Sequence, residues 1–380
     1  MRRHAVLTLY TVAAIATLPV DGLAQQATTS GPPDDPFLWL EEVDGTRAME
    51  WVKAKNAATL EQLGSSPLYQ QIFDRTKALL DSRDRIAYPT ILGDRIYNFW
   101  QDAEHERGIW RRTTWESYVS GTPSWETVID LDALAKAEGI PWAWGGADCF
   151  EPAYRRCLVA LSRGGSDAAE VREFDLASAR FVEGGFRIPE AKSSFAWVDE
   201  NTLLVGTDFG PGTMTTSGYA RFIKLWKRGT PLSAAVTVHE IPTTHMGAFA
   251  FSTDAGSRRY VRIHSAKDFY TYDALIVVDG KVHKIDVPQD ADVYFVGDQI
   301  AVYVRTPWTV GGTTWQTGSL VAMPVDAFLA GQRRFTLVTR PGEREAINGI
   351  ATTRDHLLVN VLDNVNGQLR RYRVGPSGWT

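Results

Sequence analysis

Ser166 stands in the run Gly164-Gly165-Ser166-Asp167-Ala168, one residue away from the Gly-x-Ser-x-Gly pattern of a nucleophile elbow. That pattern works because small neighbours let a strained strand-to-helix turn hold the serine up at a sheet edge. Here residues 157–162 and 171–174 both read as strands, so no helix follows to point its N-terminus at an oxyanion. A hairpin turn accounts for the glycines, which supply positive φ. His239-Glu240 opens like a zinc-protease helix, His-Glu-x-x-His. The position for the second imidazole holds Thr243, His245 comes two residues too late, and Pro242 opposes a helix.

Carboxylate pairs at Glu41/Glu42 and Asp34/Asp35 lie in turn-like contexts, and nothing sets two of them across a cleft as glycoside hydrolysis requires. Gly210, Gly212, Gly311 and Gly312 follow no phosphate-loop spacing and read as turns. Trp142 and Trp144 fit packed sheet aromatics better than a ligand surface. No catalytic residue, cofactor-binding residue or metal ligand is therefore assigned, and no cofactor is expected. Cys149 and Cys157 are the only cysteines. In an oxidising compartment such a pair is a candidate disulfide, with Cys149 read in the loop before a strand that opens at Cys157; two buried free thiols are the alternative.

The elements that would position these residues change character along the chain. Residues 34–85 form an N-terminal helical segment. Ala48, Trp51, Val52, Lys55, Ala58 and Leu63 roughly keep helical spacing, and Pro67 opens a second helix at a position where its missing N–H costs least. Leu68, Ile72, Phe73, Leu79 and Leu80 then mark an apolar face that needs a partner surface. From residue 86 to 380, short β-rich runs alternate with Gly, Asp and Asn turns. The clearest unit has strands at 195–198, 203–207, 220–227 and 235–240, and further strands are expected at 95–101, 110–119, 293–296, 300–305, 318–324, 347–352, 357–362 and 369–374. The repeat of roughly 40–50 residues is that of a propeller blade. The fold class expected is mainly β, an incomplete β-propeller of about five blades plus a partial sixth that lacks its outer strand, truncated in that last blade.

Residues 1–24 have the form of a secretory signal peptide: Arg2 and Arg3, an apolar run from residue 5 to 20, and small residues before Gln25. Residues 25–33 read as a flexible polar leader. The run is short for a membrane span, so a periplasmic protein with no membrane attachment after cleavage is expected. Net charge is −5 with the signs interspersed, which offers no basic face to nucleic acid. A monomer is expected.

The run DPFLWLEEVDGTRAMEWVKAKN at residues 35–56 resembles the start of prolyl oligopeptidase family enzymes, through Asp35, Pro36, Phe37, Trp39, Leu40, Glu41, Trp51, Val52 and Asn56. LSRGGSDAAEVREFDL at residues 161–176 is similar to an early propeller segment of that family. The resemblance implies a seven-bladed propeller that caps an α/β-hydrolase domain with a Ser-Asp-His triad, the serine endopeptidase part, against which the N-terminal helices pack. It implies that short peptides are the substrate class, with the propeller gating their access. The triad domain follows the propeller in the family and lies outside this sequence, so no triad residue carries over and the chain alone is expected to be inactive. A stand-alone periplasmic propeller, binding or scaffolding a partner, is the alternative.

Overall fold

The computed structural model of the chain describes residues 35–42, 45–376 and 378–380. The signal-peptide and leader readings, residues 1–24 and 25–33, lie outside them. Two compact units divide between Ile86 and Ala87.

In the first unit a short 3-10 turn, Leu38–Glu41, precedes α1 (Thr46–Leu63) and α2 (Pro67–Leu80). The Ser66 side chain caps α2 by accepting from the Tyr69 N–H at 3.1 Å, with Pro67 in the first turn. Trp39 meets Trp51 edge-on at 6.3 Å, and the Arg47 guanidinium lies 4.0 Å over Trp39. Little else is covered. Leu68, Ile72 and Leu79 are 63%, 57% and 63% exposed, so the apolar face read from their spacing points to solvent.

The second unit is a succession of antiparallel sheets whose strands run in chain order. The first holds β1 (Thr90–Leu92), β2 (Arg95–Trp100), β3 (Ile109–Thr114) and β4 (Glu126–Asp130), with α3 (Trp115–Val119) between the last two. After α4 (Leu131–Glu138) the second holds β5 (Trp142–Cys149), β6 (Arg156–Arg163), β7 (Ala169–Asp175) and β8 (Arg180–Phe181), with β9 (Arg187–Ala191) also pairing on β7. The third is β10 (Ser194–Asp199), β11 (Thr202–Gly206), β12 (Phe222–Lys227) and β13 (Val236–Glu240). The fourth is β14 (Gly247–Ala255), β15 (Arg258–Ala266), β16 (Tyr272–Val278) and β17 (Lys281–Lys284).

In the fifth, β18 (Asp292–Val296) and β19 (Gln299–Tyr303) are followed by a separate hairpin, β20 (Trp308–Val310) and β21 (Thr313–Trp315). The sheet then resumes with β22 (Leu320–Pro324), α5 (Val325–Leu329) and β23 (Thr336–Thr339). The sixth is β24 (Glu345–Thr352), β25 (Leu357–Asp363) and β26 (Asn366–Tyr372), and a last hairpin joins β27 (Val374–Gly375) to β28 (Gly378–Trp379).

These are six blades of a mainly β propeller, and the expected count is corrected in two respects. Neither seven blades nor five and a fraction describes it. The sixth is a blade in its own right: every residue of β25 pairs on β26, and β24 runs the length of β25 with one register shift. A repeat length judged from four-strand units undercounts a blade built on three. The strand expected at 110–119 also ends early, at Thr114. The Thr114 hydroxyl accepts from the Ser117 N–H at 3.2 Å and caps α3 instead.

The core lies between blades. Tyr97, Trp110 and Ile129 pack with Trp142, Leu161 and Phe174 across the first seam. Leu158, Phe186 and Ile188 meet Trp197, Leu203 and Trp226 at the second. The third joins Leu204 and Ile223 to Ala250 and Ile263, the fourth joins Ile276 to Phe295 and Val302, and the fifth joins Ala301 and Leu320 to Val359 and Val361. Both faces of a middle blade are thereby buried, which is why strands such as β11 and β22 read as near-continuous apolar runs.

Candidate functional site

Because strands alternate in direction, a propeller has two unlike ends. At one, the first and second strands of each blade are joined by turns. At the other lie the longer connections, among them residues 101–108, 207–221 and 304–319. β10, β14, β18 and β24, each the first strand of its blade, touch in sequence and surround the axis.

At the long-connection end, residues 101–108 bring a carboxylate and an imidazole together. His105 Nδ1 lies 3.0 Å from Asp102 Oδ1, and Trp100 Nε1 donates to Asp102 Oδ2 at 3.0 Å. Burial works to raise the Asp102 carboxyl. The hydrogen bonds from Trp100, His105 and the Glu104 and His105 N–H groups outweigh it and hold the group at about 2. The Asp102 and His105 backbones bond each other in both directions, so the carboxylate closes a turn as well as holding the ring.

Ser166 occupies the turn between β6 and β7. Its hydroxyl donates to the Ala168 carbonyl at 3.0 Å, and Gly164 and Gly165 have φ of 64° and 85°. The turn joins two strands, and the hydroxyl is engaged by a carbonyl rather than a base. His239 lies in β13 opposite Ile223, where burial lowers its pKa and the nearby Asp273 charge opposes that shift. His245 follows in the turn before β14. Among the described residues no three of His, Cys, Asp and Glu gather as a metal site.

Trp142 is fully buried and donates from Nε1 to Glu138 at 2.8 Å, while Trp144 stacks on Phe99 at 5.3 Å. Both are packing residues of the first seam. Beside Trp142 lies a cavity of about 590 Å³ lined by Glu138, Glu170, Arg172, Glu173 and Arg187 with the 182–186 loop. Most of its charged side chains are held in ion pairs. Arg172 takes Glu138 through both of its terminal nitrogens at 2.7 and 3.0 Å and Glu170 at 2.6 Å, and Arg187 also donates to Glu170 at 2.8 Å. The guanidinium holds Glu138 below the usual carboxylate range. Glu173, wholly buried, receives Arg228 Nη1 at 2.7 Å and the Phe186 N–H at 2.9 Å.

Two buried groups of β15 escaped sequence reasoning. Arg262 of β15 reaches Thr253 Oγ1 at 2.9 Å and the Val293 carbonyl at 3.2 Å, and among the described residues no carboxylate pairs with it. Burial pushes its guanidinium down to about 10. His264 stacks on Tyr272 at 4.2 Å and lies 4.6 Å from Phe251. Burial, with the Arg262 charge, lowers it to about 3.

Cys149 and Cys157 face each other as a directly opposed pair of β5 and β6 and are joined by a disulfide. Cys149 thus ends a strand and does not lie in a loop as its surroundings suggested. The Gly145-Gly146 pair and a register shift between Trp144 and Gly146 break the period-2 alternation that would have revealed β5.

Six blades with shared seams define a β-propeller. The family model described as "Prolyl oligopeptidase, N-terminal beta-propeller domain" matches residues 26–380. The chain belongs to that family, as its propeller domain. It is 38% identical over 357 residues to an uncharacterized peptidase, y4nA, of Sinorhizobium fredii, covering 91% of this chain and 49% of that protein. It is 29% identical over 360 residues to an uncharacterized peptidase, RP174, of Rickettsia prowazekii, covering 90% of this chain and 50% of that one. Among solved structures, a post-proline cleaving enzyme from Rickettsia typhi superposes with a TM-score of 0.83 at 29% identity, over 90% of this chain and 52% of that one. The chain spans about half the length of the curated relatives it matches.

Proposed function

We propose that this chain is the propeller portion of a prolyl-oligopeptidase-like serine endopeptidase, which admits short peptides to an α/β-hydrolase domain in the same polypeptide and does not itself cut bonds. The observation that carries the reading is the family match across residues 26–380 in relatives about twice as long. The exposed apolar face of α2 supports it, since a stripe such as Leu68, Ile72 and Leu79 suits cover by a further domain. So does the state of Ser166, whose hydroxyl is bonded to a backbone carbonyl. Export to the periplasm, with a mature chain beginning at Gln25, belongs to the same proposal and rests on the form of residues 1–24.

The 380-residue chain is expected neither to hydrolyse a proline-containing fluorogenic peptide nor to react with a fluorophosphonate probe. Labelling that vanishes in Ser166→Ala would overturn the reading. Gating is tested in a chimaera carrying the second half of the Sinorhizobium fredii relative. Short peptides should be cut and a folded protein spared; equal rates on both would remove the gate.

A further inference from the structure

We propose that the short-turn end of the propeller is a closed floor, so that the axial passage opens only toward the long connections. The observations are contacts between blades that are not neighbours. Residues 150–155, joining β5 to β6 in the second blade, reach past the third to the fourth. There Arg259 Nη2 donates to the Glu151 carbonyl at 3.0 Å, and its guanidinium lies 4.1 Å over Phe150. Asp254 holds that arginine in place through two hydrogen bonds of 3.0 and 2.8 Å. On the way, Phe150 meets the edge of Trp197 at 5.5 Å, while Trp197 Nε1 donates to the Asp148 carbonyl at 3.1 Å.

The fourth blade is tied past the fifth to the sixth in the same plane. The Gly256 and Gly297 N–H groups both donate to the Arg354 carbonyl, at 2.9 and 3.1 Å, and Arg354 Nε returns a bond to the Gly256 carbonyl at 3.0 Å. The Tyr260 hydroxyl adds a bond to the Gly297 carbonyl at 3.1 Å. Gly256 has φ of 58°, and a Cβ placed there would lie 3.1 Å from the Gly297 Cα, so the turns approach as closely as backbone allows. Phe150, Glu151, Gly256, Gly297 and Arg354 lie in the connections between the first and second strands of their blades, and Asp148, Trp197, Asp254, Arg259 and Tyr260 lie at the strand ends beside those connections, so the contacts gather at one end of the propeller. The second blade thereby reaches the fourth, and the fourth the sixth, across the inner ends of the blades between them. The Cys149–Cys157 bridge closes the base of the 150–155 loop and limits how far it can swing out.

That short peptides are what would travel along the axis rests on the function proposed above; the closure does not. Backbone amide hydrogen exchange on the 380-residue chain, with no peptide present, therefore tests the floor alone. The Gly256 and Gly297 amides should exchange at least about tenfold more slowly than the amide of Gly312, in the β20–β21 turn. In Arg259→Ala, amides of residues 150–155 should speed up by a similar factor while those within β15 keep their rates. Gly256 and Gly297 amides as fast as Gly312, or a 150–155 loop indifferent to the loss of Arg259, would overturn the closure. Should Arg259→Ala fail to fold, the rates in the unaltered chain decide the matter.

Discussion

The buried ionic groups of this propeller set its response to acid and to mutation. His264 has its folded pKa depressed from the ordinary 6.5 to about 3 by burial and by the Arg262 charge. The unfolded chain therefore binds a proton that the folded chain refuses. Stability is at its plateau above pH 6.5, falls as pH drops toward 3, and levels below that. His264→Phe should flatten this limb of the urea midpoint plotted against pH; an unchanged slope between pH 3 and 6.5 would contradict it. Glu173 offers a second case. With its carboxylate wholly buried against Arg228, Arg228→Ala should cost roughly 3 kcal/mol in urea unfolding, because a buried charge loses its main partner. Replacing both by leucine should cost less than the single change. None of these roles was legible in the sequence, since each depends on which strand lies opposite. The turn around Ser166 was legible because two adjacent glycines and flanking β-rich runs act locally.

Elements differ in how openly they announce themselves. The third blade reads cleanly: its four strands are expected within about two residues of where they fall, because β-branched and aromatic runs there end in glycine, asparagine or proline. Residues 131–149 hide α4 and β5. The helix carries its own signals, since Asp130 caps it by accepting from the Ala133 N–H at 2.9 Å and Gly139 ends it at φ 67°. An all-β expectation passes over a helix of that length. The cysteines were visible as a pair, but their opposition across two strands was not. Removing them tests the bridge: Cys149→Ser with Cys157→Ser should lower stability by roughly 2–3 kcal/mol on loop-closure grounds, read as a shift in the urea midpoint. Free thiols titrating in the unreduced protein would show that the bridge is not formed in solution.

At the scale of the whole molecule, apolar surface falls into two kinds. Leu158 sits completely buried in the second seam, and Leu158→Ala should cost about 2–5 kcal/mol. Leu68, Ile72 and Leu79 on α2 are mostly exposed, and changing all three to serine should leave the melting temperature of the propeller unit nearly where it was. The same change should reduce binding of a hydrophobic dye, since it removes three exposed apolar side chains from the helical unit. A large loss of propeller stability would show that these side chains are covered after all. The spacing of apolar residues revealed that stripe, and the blade repeat revealed the fold class. Neither could give the blade count, because the sixth blade does without a fourth strand.

The shared seams have a consequence for how such a chain comes into being. Each apolar cluster draws its members from two successive blades, so no blade owns a finished core. A polypeptide emerging from its N-terminus therefore advances as a folding front, always one blade behind its own synthesis, with one sticky face waiting for the next sheet to arrive. The assembly order is written into the wall-sharing, and a delay at any one blade exposes the face of the blade before it.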